Sequence, residues 1–245
     1  MNIDHPSVMH VPQLRQLWKE AFGDSDEFLD LFFNKVFSPN RCLCATVGCE
    51  IVAAAYWFSC EEYAYIYAVA TAKVHQGKGI CHALMNEIHS LLAMQGYCGS
   101  ILVPGDEGLR HFYSGMGYQN FGGIREFTCR AASPLPVRPI DGAEFEQLRR
   151  KYLPEGGVIQ EGENTVFLSN TAAFFAGSDF LLTAVRDGDS LRGLELLGNA
   201  DAAPGILGAL EILCGTFRCP GNSNNAMWLP FGQKNPPTYF GFAFD

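Results

Sequence analysis

The sequence is short of charge, of basic clusters and of long apolar runs, and each shortage closes off a class of function. Only 18% of its 245 residues are charged while 48% are apolar, a balance that buries a core and is unlike that of a solvated, disordered segment. Lys and Arg number 17 against 26 Asp and Glu, and neither part of the chain is basic: residues 1–130 hold 9 basic and 13 acidic side chains, the remainder 8 and 13. With no basic stripe to neutralise a phosphate backbone, DNA and RNA are excluded as main partners. No stretch reaches the ~18 apolar residues of a membrane span, and Met1–His10 carries Asp4 and no apolar run, so a cytoplasmic protein without membrane partners is expected. The nine cysteines are odd in number and scattered, with no Cys-x-x-Cys pair. They read as reduced, mostly buried thiols, and neither a disulfide framework nor a metal site is expected.

What is present is periodicity. Val11, Leu14, Leu17, Trp18, Ala21 and Phe22 recur at helical spacing and Gly23 follows as a stop. Ser25 can cap a second helix carrying Phe28, Leu31, Phe32 and Val36 before Pro39. Arg41–Val47 and Glu50–Cys60 pattern as a hairpin about Gly48-Cys49, and Tyr63–Val74 as a third strand. Gly79 then opens a helix with Ile80, Leu84, Ile88, Leu91 and Leu92 on one face. Ser100–Val103 predicts a strand, Glu107–Gly115 a short helix, and Gly117–Phe121 with Ile124–Cys129 a final antiparallel pair. The order ααβββαβαββ predicts an α/β (α+β) fold. Three prolines within Ala131–Pro139 mark a linker and divide the chain into domains 1–130 and 131–245.

Gln76-Gly77-Lys78-Gly79-Ile80-Cys81 joins a strand to an amphipathic helix. Small residues let a ligand approach the backbone, and the unpaired amides at a helix N-terminus receive an anion such as a diphosphate, with Lys78 adding positive charge. Two familiar phosphate motifs do not fit: His82 stands where a dinucleotide fingerprint needs Gly, and Gly79 where a P-loop needs Ser or Thr.

The hexapeptide resembles the Gln/Arg-x-x-Gly-x-Gly/Ala pattern of the GNAT superfamily of N-acetyltransferases, departing from it at Cys81. Phe112-Tyr113-Ser114-Gly115-Met116-Gly117-Tyr118 looks like that superfamily's Phe-Tyr-x-x-x-Gly-Phe signature, and Tyr67–Thr71 like the strand that pairs with the pantetheine arm. The resemblance covers residues 1–129 and implies a mixed, mostly antiparallel sheet flanked by helices. It implies acetyl-CoA as donor, held by Val69, Ala70, Thr71, Gln76, Gly77, Lys78, Gly79, Ile80 and Cys81. It also implies direct attack on the thioester by a primary amine of a small molecule or peptide, with Tyr113 protonating the departing thiolate. Cys81 then lies beside the diphosphate, as a packing residue and not a nucleophile. The base stays open among Glu61, Glu62, His75, His111, a C-terminal carboxylate and water. His82 and His89, seven residues apart on one helix, are too far apart to hold one metal ion.

In the second domain, Phe180–Val185 and Leu191–Leu197 flank the turn Arg186-Asp187-Gly188-Asp189, and Ile206, Leu210 and Leu213 suggest a helix, with two late strands after Phe217. This resembles a smaller, degenerate GNAT-like domain without the glycine motif, as in shortened tandem acetyltransferases of the enhanced intracellular survival type. Its aromatics Trp228, Phe231, Tyr239, Phe240, Phe242 and Phe244 wall an acceptor pocket or form its own core, and the tail Phe242–Asp245 is expected to reach the catalytic cleft. A CoA-binding sensor that has lost turnover is the alternative function, and a structural module with a vestigial pocket a third. Oligomeric state stays open.

Overall fold

Trp18 organises the start of the chain in a computed structural model that describes residues 1–242. It sits on α1 (Val11–Phe22), which buries Leu14, Leu17 and Trp18. Its ring meets Phe32 at 4.6 Å, Tyr56 at 5.1 Å and Tyr67 at 5.7 Å. The indole N–H donates to Asp24 Oδ2 at 2.7 Å, so the polar end of a 2%-exposed side chain is satisfied. Gly23 at φ +74° closes α1, and the Ser25 hydroxyl accepts from Phe28 N to cap α2 (Asp26–Lys35).

A strand that the sequence pattern does not signal, β1 (Asn2–Asp4), pairs antiparallel with β2 (Cys42–Val47). From β2 the sheet continues antiparallel through β3 (Glu50–Cys60) and β4 (Tyr63–Thr71). Next come α3 (Ile80–Met94), then β5 (Gly99–Leu102) running parallel to β4, and α4 (Glu107–Gly115). α1 packs on β3 and β4, and α3 on β2 to β5. The predicted antiparallel pair after α4 is instead one strand, β6 (Gln119–Arg130). Gly122-Gly123 reads as a turn, but Gly122 takes φ +83° inside the strand, and Ile124–Arg130 find their partners some ninety residues later.

The chain then repeats the order: β7 (Arg138–Pro139), α5 (Gly142–Tyr152), α6 (Glu163–Thr171), β8 (Ala173–Ala176), β9 (Phe180–Asp187), β10 (Ser190–Gly198), α7 (Ala203–Ala209), β11 (Cys214–Pro220) and β12 (Ser223–Pro230). Again five strands in sequence order are interrupted by helices after the first and fourth, and again the fourth and fifth run parallel. Among the described residues no helix corresponds to α4. β9 and β10 form the predicted hairpin, whereas α5 and α6 were not legible.

Two compact units result, Met1–Gln119 with Trp228–Lys234, and Asn120–Met227 with the segment from Asn235. The first receives a late addition: Phe231 N donates to Cys98 O at 2.9 Å, and a Cβ on Gly99 would strike Leu229 O at 2.6 Å. The second receives β6, antiparallel to β11. The proline-rich stretch after β6 lies on α7, where Ala132 N donates to Pro204 O at 2.9 Å and a Cβ on Gly205 would meet Leu135 at 2.5 Å.

The second unit is locked by a buried ion pair. Arg149 of α5 donates from Nε and Nη2 to the two oxygens of Glu195 on β10, both at 2.9 Å, with side chains 2% and 1% exposed. Tyr239 donates to the same carboxylate at 3.0 Å. Gln160 receives Phe242 N and donates to Phe242 O. Tyr239, Phe240 and Phe242 are thus core, and Trp228 is buried too. Phe244 and Asp245, on which the catalytic-tail expectation rests, lie outside the described residues. All nine cysteines are free, but four, not most, are buried: Cys49 stands beside the hairpin glycine and Cys214 at a strand start, where neither is covered. No described helix is long and apolar enough to cross a membrane.

Candidate active site

The site begins with a strand that outruns its neighbour. β5 pairs with β4 only at Tyr63, Ala64 and Tyr65, because Pro104 follows closely and cannot donate to a ladder. Ile66–Thr71 continue beyond the last of these pairs. On the other side, β4 pairs Tyr67 with Tyr56 and Ala70 with Ala54, so Ala68 and Val69 share one partner residue. This is a β-bulge, and Ala68 holds it at φ +51°, a left-handed conformation costly for a residue with a Cβ. Tyr67, Ala68, Val69 and Thr71 are half-buried here while Ala70 is covered. Sequence reasoning missed Ala68, since alanine carries no signal for a left-handed position.

After β4 the backbone turns through Gly77 at φ +71° and Gly79 at φ +76°. The Gln76 side chain ties the turn to the strand by donating to Thr71 O at 3.1 Å. Gly79 is the N-cap of α3, with no side-chain cap and no acidic residue in the first turn, so neither a capping acceptor nor a carboxylate answers the first amides and the positive end of the helix dipole. A Cβ on Gly77 or Gly79 would meet nothing within 4 Å. The turn faces open space. Gln76, Gly77, Lys78 and Gly79 are exposed, Ile80 is buried as an anchor of α3, and Cys81 is half-buried.

Burial raises the Cys81 thiol to about 11, against a smaller lowering by the neighbouring Thr71 side chain; at neutral pH it is protonated and a poor nucleophile. Tyr113 is the buried residue of α4 and 6% exposed. Asp106 caps that helix by accepting from Leu109 N at 2.7 Å. Tyr118 N donates back to Tyr113 O at 3.1 Å, closing the helix through Gly117 at φ +95°. Burial, and then the nearby Cys81 thiol, push the Tyr113 phenol far up, so it keeps its proton at any physiological pH. The fold thus brings Tyr113 towards the head of α3.

Glu61 and Glu62 lie in the turn before β4, at the opposite end of the strand from Val69–Thr71, roughly 20 Å away at the ~3.3 Å rise of a strand. Glu62 binds Lys234, which holds its carboxyl below the usual range. His75 ends the turn of 3-10 helix before the glycines and His111 is exposed on α4. His82 bonds Asn86 at 3.1 Å. Among the described residues no His, Cys, Asp or Glu cluster could hold a metal ion.

Behind Tyr113 stands a polar chain that the motif only hinted at, since Tyr118 occupies the signature's Phe position. The Tyr118 hydroxyl lies 2.7 Å from Ser100 Oγ and 2.9 Å from His89 Nε2, its ring edge-on to Tyr113 at 5.7 Å. Burial, with a minor contribution from His82, pushes the His89 imidazole down to about 4 from 6.5. The folded state therefore binds fewer protons than the unfolded chain between those values, so stability is whole above pH 6.5 and declines as pH falls towards about 4. In urea titrations at neutral and acid pH, His89→Gln is expected to remove on the order of 2 kcal/mol of acid sensitivity; an unchanged acid slope would show that His89 already titrates normally.

These features, a parallel pair that opens, a bulged strand and a glycine turn at a helix head, define an acyltransferase fold. Residues 3–121 match the family model of the acetyltransferase (GNAT) domain, and this part of the chain is a GNAT acetyltransferase domain. Solved structures with the same fold include the GCN5-related N-acetyltransferase from Kribbella flavida, at 15% identity and TM-score 0.71 over 93% of this chain and 70% of that one. Eis1 from Mycobacterium abscessus follows at 12% identity and TM-score 0.68, over 94% and 74%. A putative acetyltransferase from Pyrococcus horikoshii aligns at 14% and 0.68, over 98% and 91%. These alignments run through both units, so the fold shared with these structures includes the second. No curated protein matches the sequence.

Proposed function

We propose that the protein transfers an acetyl group from acetyl-CoA to a primary amine of a small molecule or peptide by direct attack. The observation that carries this reading is the continuous path from the bulge at Ala68 to the uncapped head of α3, an extended edge followed by a diphosphate-sized nest of amides. The pantetheine arm pairs with Val69, Ala70 and Thr71 as an added strand, and an amide of that segment polarises the thioester carbonyl as its oxygen gains charge. The diphosphate rests on Gln76, Gly77, Lys78, Gly79, Ile80 and Cys81. Tyr113, protonated throughout, gives its proton to the thiolate as it leaves.

The test is thiol release from acetyl-CoA in the presence of an amine library. Release with at least one amine supports the reading, and thermal stabilisation by acetyl-CoA without turnover would support a CoA-binding sensor instead. Gly79→Ala provides a sharper readout. Its methyl group would project into the open space before the helix amides at a φ that costs alanine about 1–2 kcal/mol. KM for acetyl-CoA is expected to rise at least tenfold with the fold intact; an unaltered KM would remove the diphosphate from this turn.

A further inference from the structure

The second unit keeps the geometry of the first without its glycine turn. β11 pairs with β10 from Ser190 to Gly193, as β5 pairs with β4 from Tyr63 to Tyr65, and β10 then bulges at Leu194, between its pairs Gly193 with Ala184 and Glu195 with Thr183. A cavity of about 340 Å3 opens at this bulge. Its lining brings together two arginines, Arg192 and Arg218, and two carboxylates, Glu126 and Asp187, with Thr216 and Leu194 among them.

The arginines are poorly answered by protein. Arg218 reaches Glu126 only at 3.8 Å, too long for a hydrogen bond, and its Nε is buried without a partner. Arg192 is exposed and has no partner among the described residues. A guanidinium presents five donors in a fork matched to a carboxylate. An anion alone would also face Glu126 and Asp187, and a cation alone would face both arginines. A ligand bearing both charges answers the two arginines and Glu126 together, and a cavity of this volume limits it to a small molecule.

We propose that this cleft binds a small zwitterion of the free amino acid class, in which the carboxylate lies on Arg192 and Arg218 and the ammonium on Glu126, which stands opposite Arg218 across the β6–β11 ladder. The site is separate from the acetyl-transfer groove and does not require turnover there. The test is thermal shift and calorimetric titration of the full chain with each standard amino acid at about 10 mM, with succinate and butylamine as probes that each lack one charge type. At least one amino acid should raise the melting temperature and bind ten times more tightly than either control. Arg192→Ser, at an exposed position that the fold does not use, should weaken that binding at least tenfold. The proposal is overturned if no amino acid stabilises the protein, if either single-charge probe binds as well, or if Arg192→Ser leaves affinity unchanged, as binding of the amino acid at the acceptor side of the first unit would.

Discussion

Glu195→Ala is expected to destabilise the second unit by about 3–5 kcal/mol, a large part of the ~5–15 kcal/mol that holds an ordinary domain folded. The cost arises less from the lost attraction than from what remains. Arg149 would keep its charge in a core where it is 2% exposed, facing the neutral acceptors Val158 O and the Gln160 amide oxygen, at 3.2 and 3.4 Å, in place of a carboxylate. The Tyr239 hydroxyl would lose its acceptor as well. Urea titration followed by far-UV circular dichroism, with amide exchange read at residues of the second unit, would measure the loss. Replacing both partners by apolar residues, Arg149→Met with Glu195→Leu, should recover most of it, since no buried charge is then orphaned. A single variant as stable as the parent would mean that water enters the site. Gly241 adds a geometric constraint: a Cβ there would fall 1.7 Å from Glu195 Oε1, so the carboxylate and the glycine backbone fit only each other.

The other large effect concerns chemistry. Tyr113→Phe is expected to lower kcat about 100-fold, at the lower end of what general acid catalysis contributes, while KM for acetyl-CoA stays within about threefold because a leaving-group proton matters only in the transition state. Since burial holds the phenol proton far above the physiological range, Tyr113 should contribute no alkaline limb to the pH–rate profile below about pH 10. The competing role, a tyrosine that merely packs against Phe112 and Tyr118 at 5.2 and 5.7 Å, predicts altered stability with full turnover. Steady-state kinetics beside a melting curve separates the two.

Much of the first unit was legible because its signals are local. The stripe Leu14, Leu17 and Trp18, the cap at Ser25, the stop at Gly23 and the start at Gly79 each act within a turn or two of chain. What escaped depends on distant residues. β1 is three residues long and exists because β2 offers an edge, and β6 is one strand whose part after its glycines, Ile124–Arg130, pairs with β11 some ninety residues later. α5 was hidden because one of its two buried side chains is Arg149, a residue that a hydrophobic pattern scores as surface and that only a Glu 46 residues away makes tolerable inside. The places of the glycine turn at the head of α3 and of Tyr113 in α4 were readable from the motifs, whereas Ala68 is left-handed only because the ladder with β3 takes up an extra residue there.

That Trp228–Lys234 belongs to the first unit and β6 to the second bears on how the chain matures during synthesis. When the ribosome has delivered residues 1–119, the outer edge of β5 still awaits a segment that will emerge more than a hundred residues later, at a translation speed of about 5–20 residues per second a delay of several seconds or more. For that interval the nascent chain presents an unfinished sheet margin, the kind of surface on which neighbouring polypeptides aggregate. The short β5, only four residues from Gly99 to Leu102, keeps that vulnerable margin small.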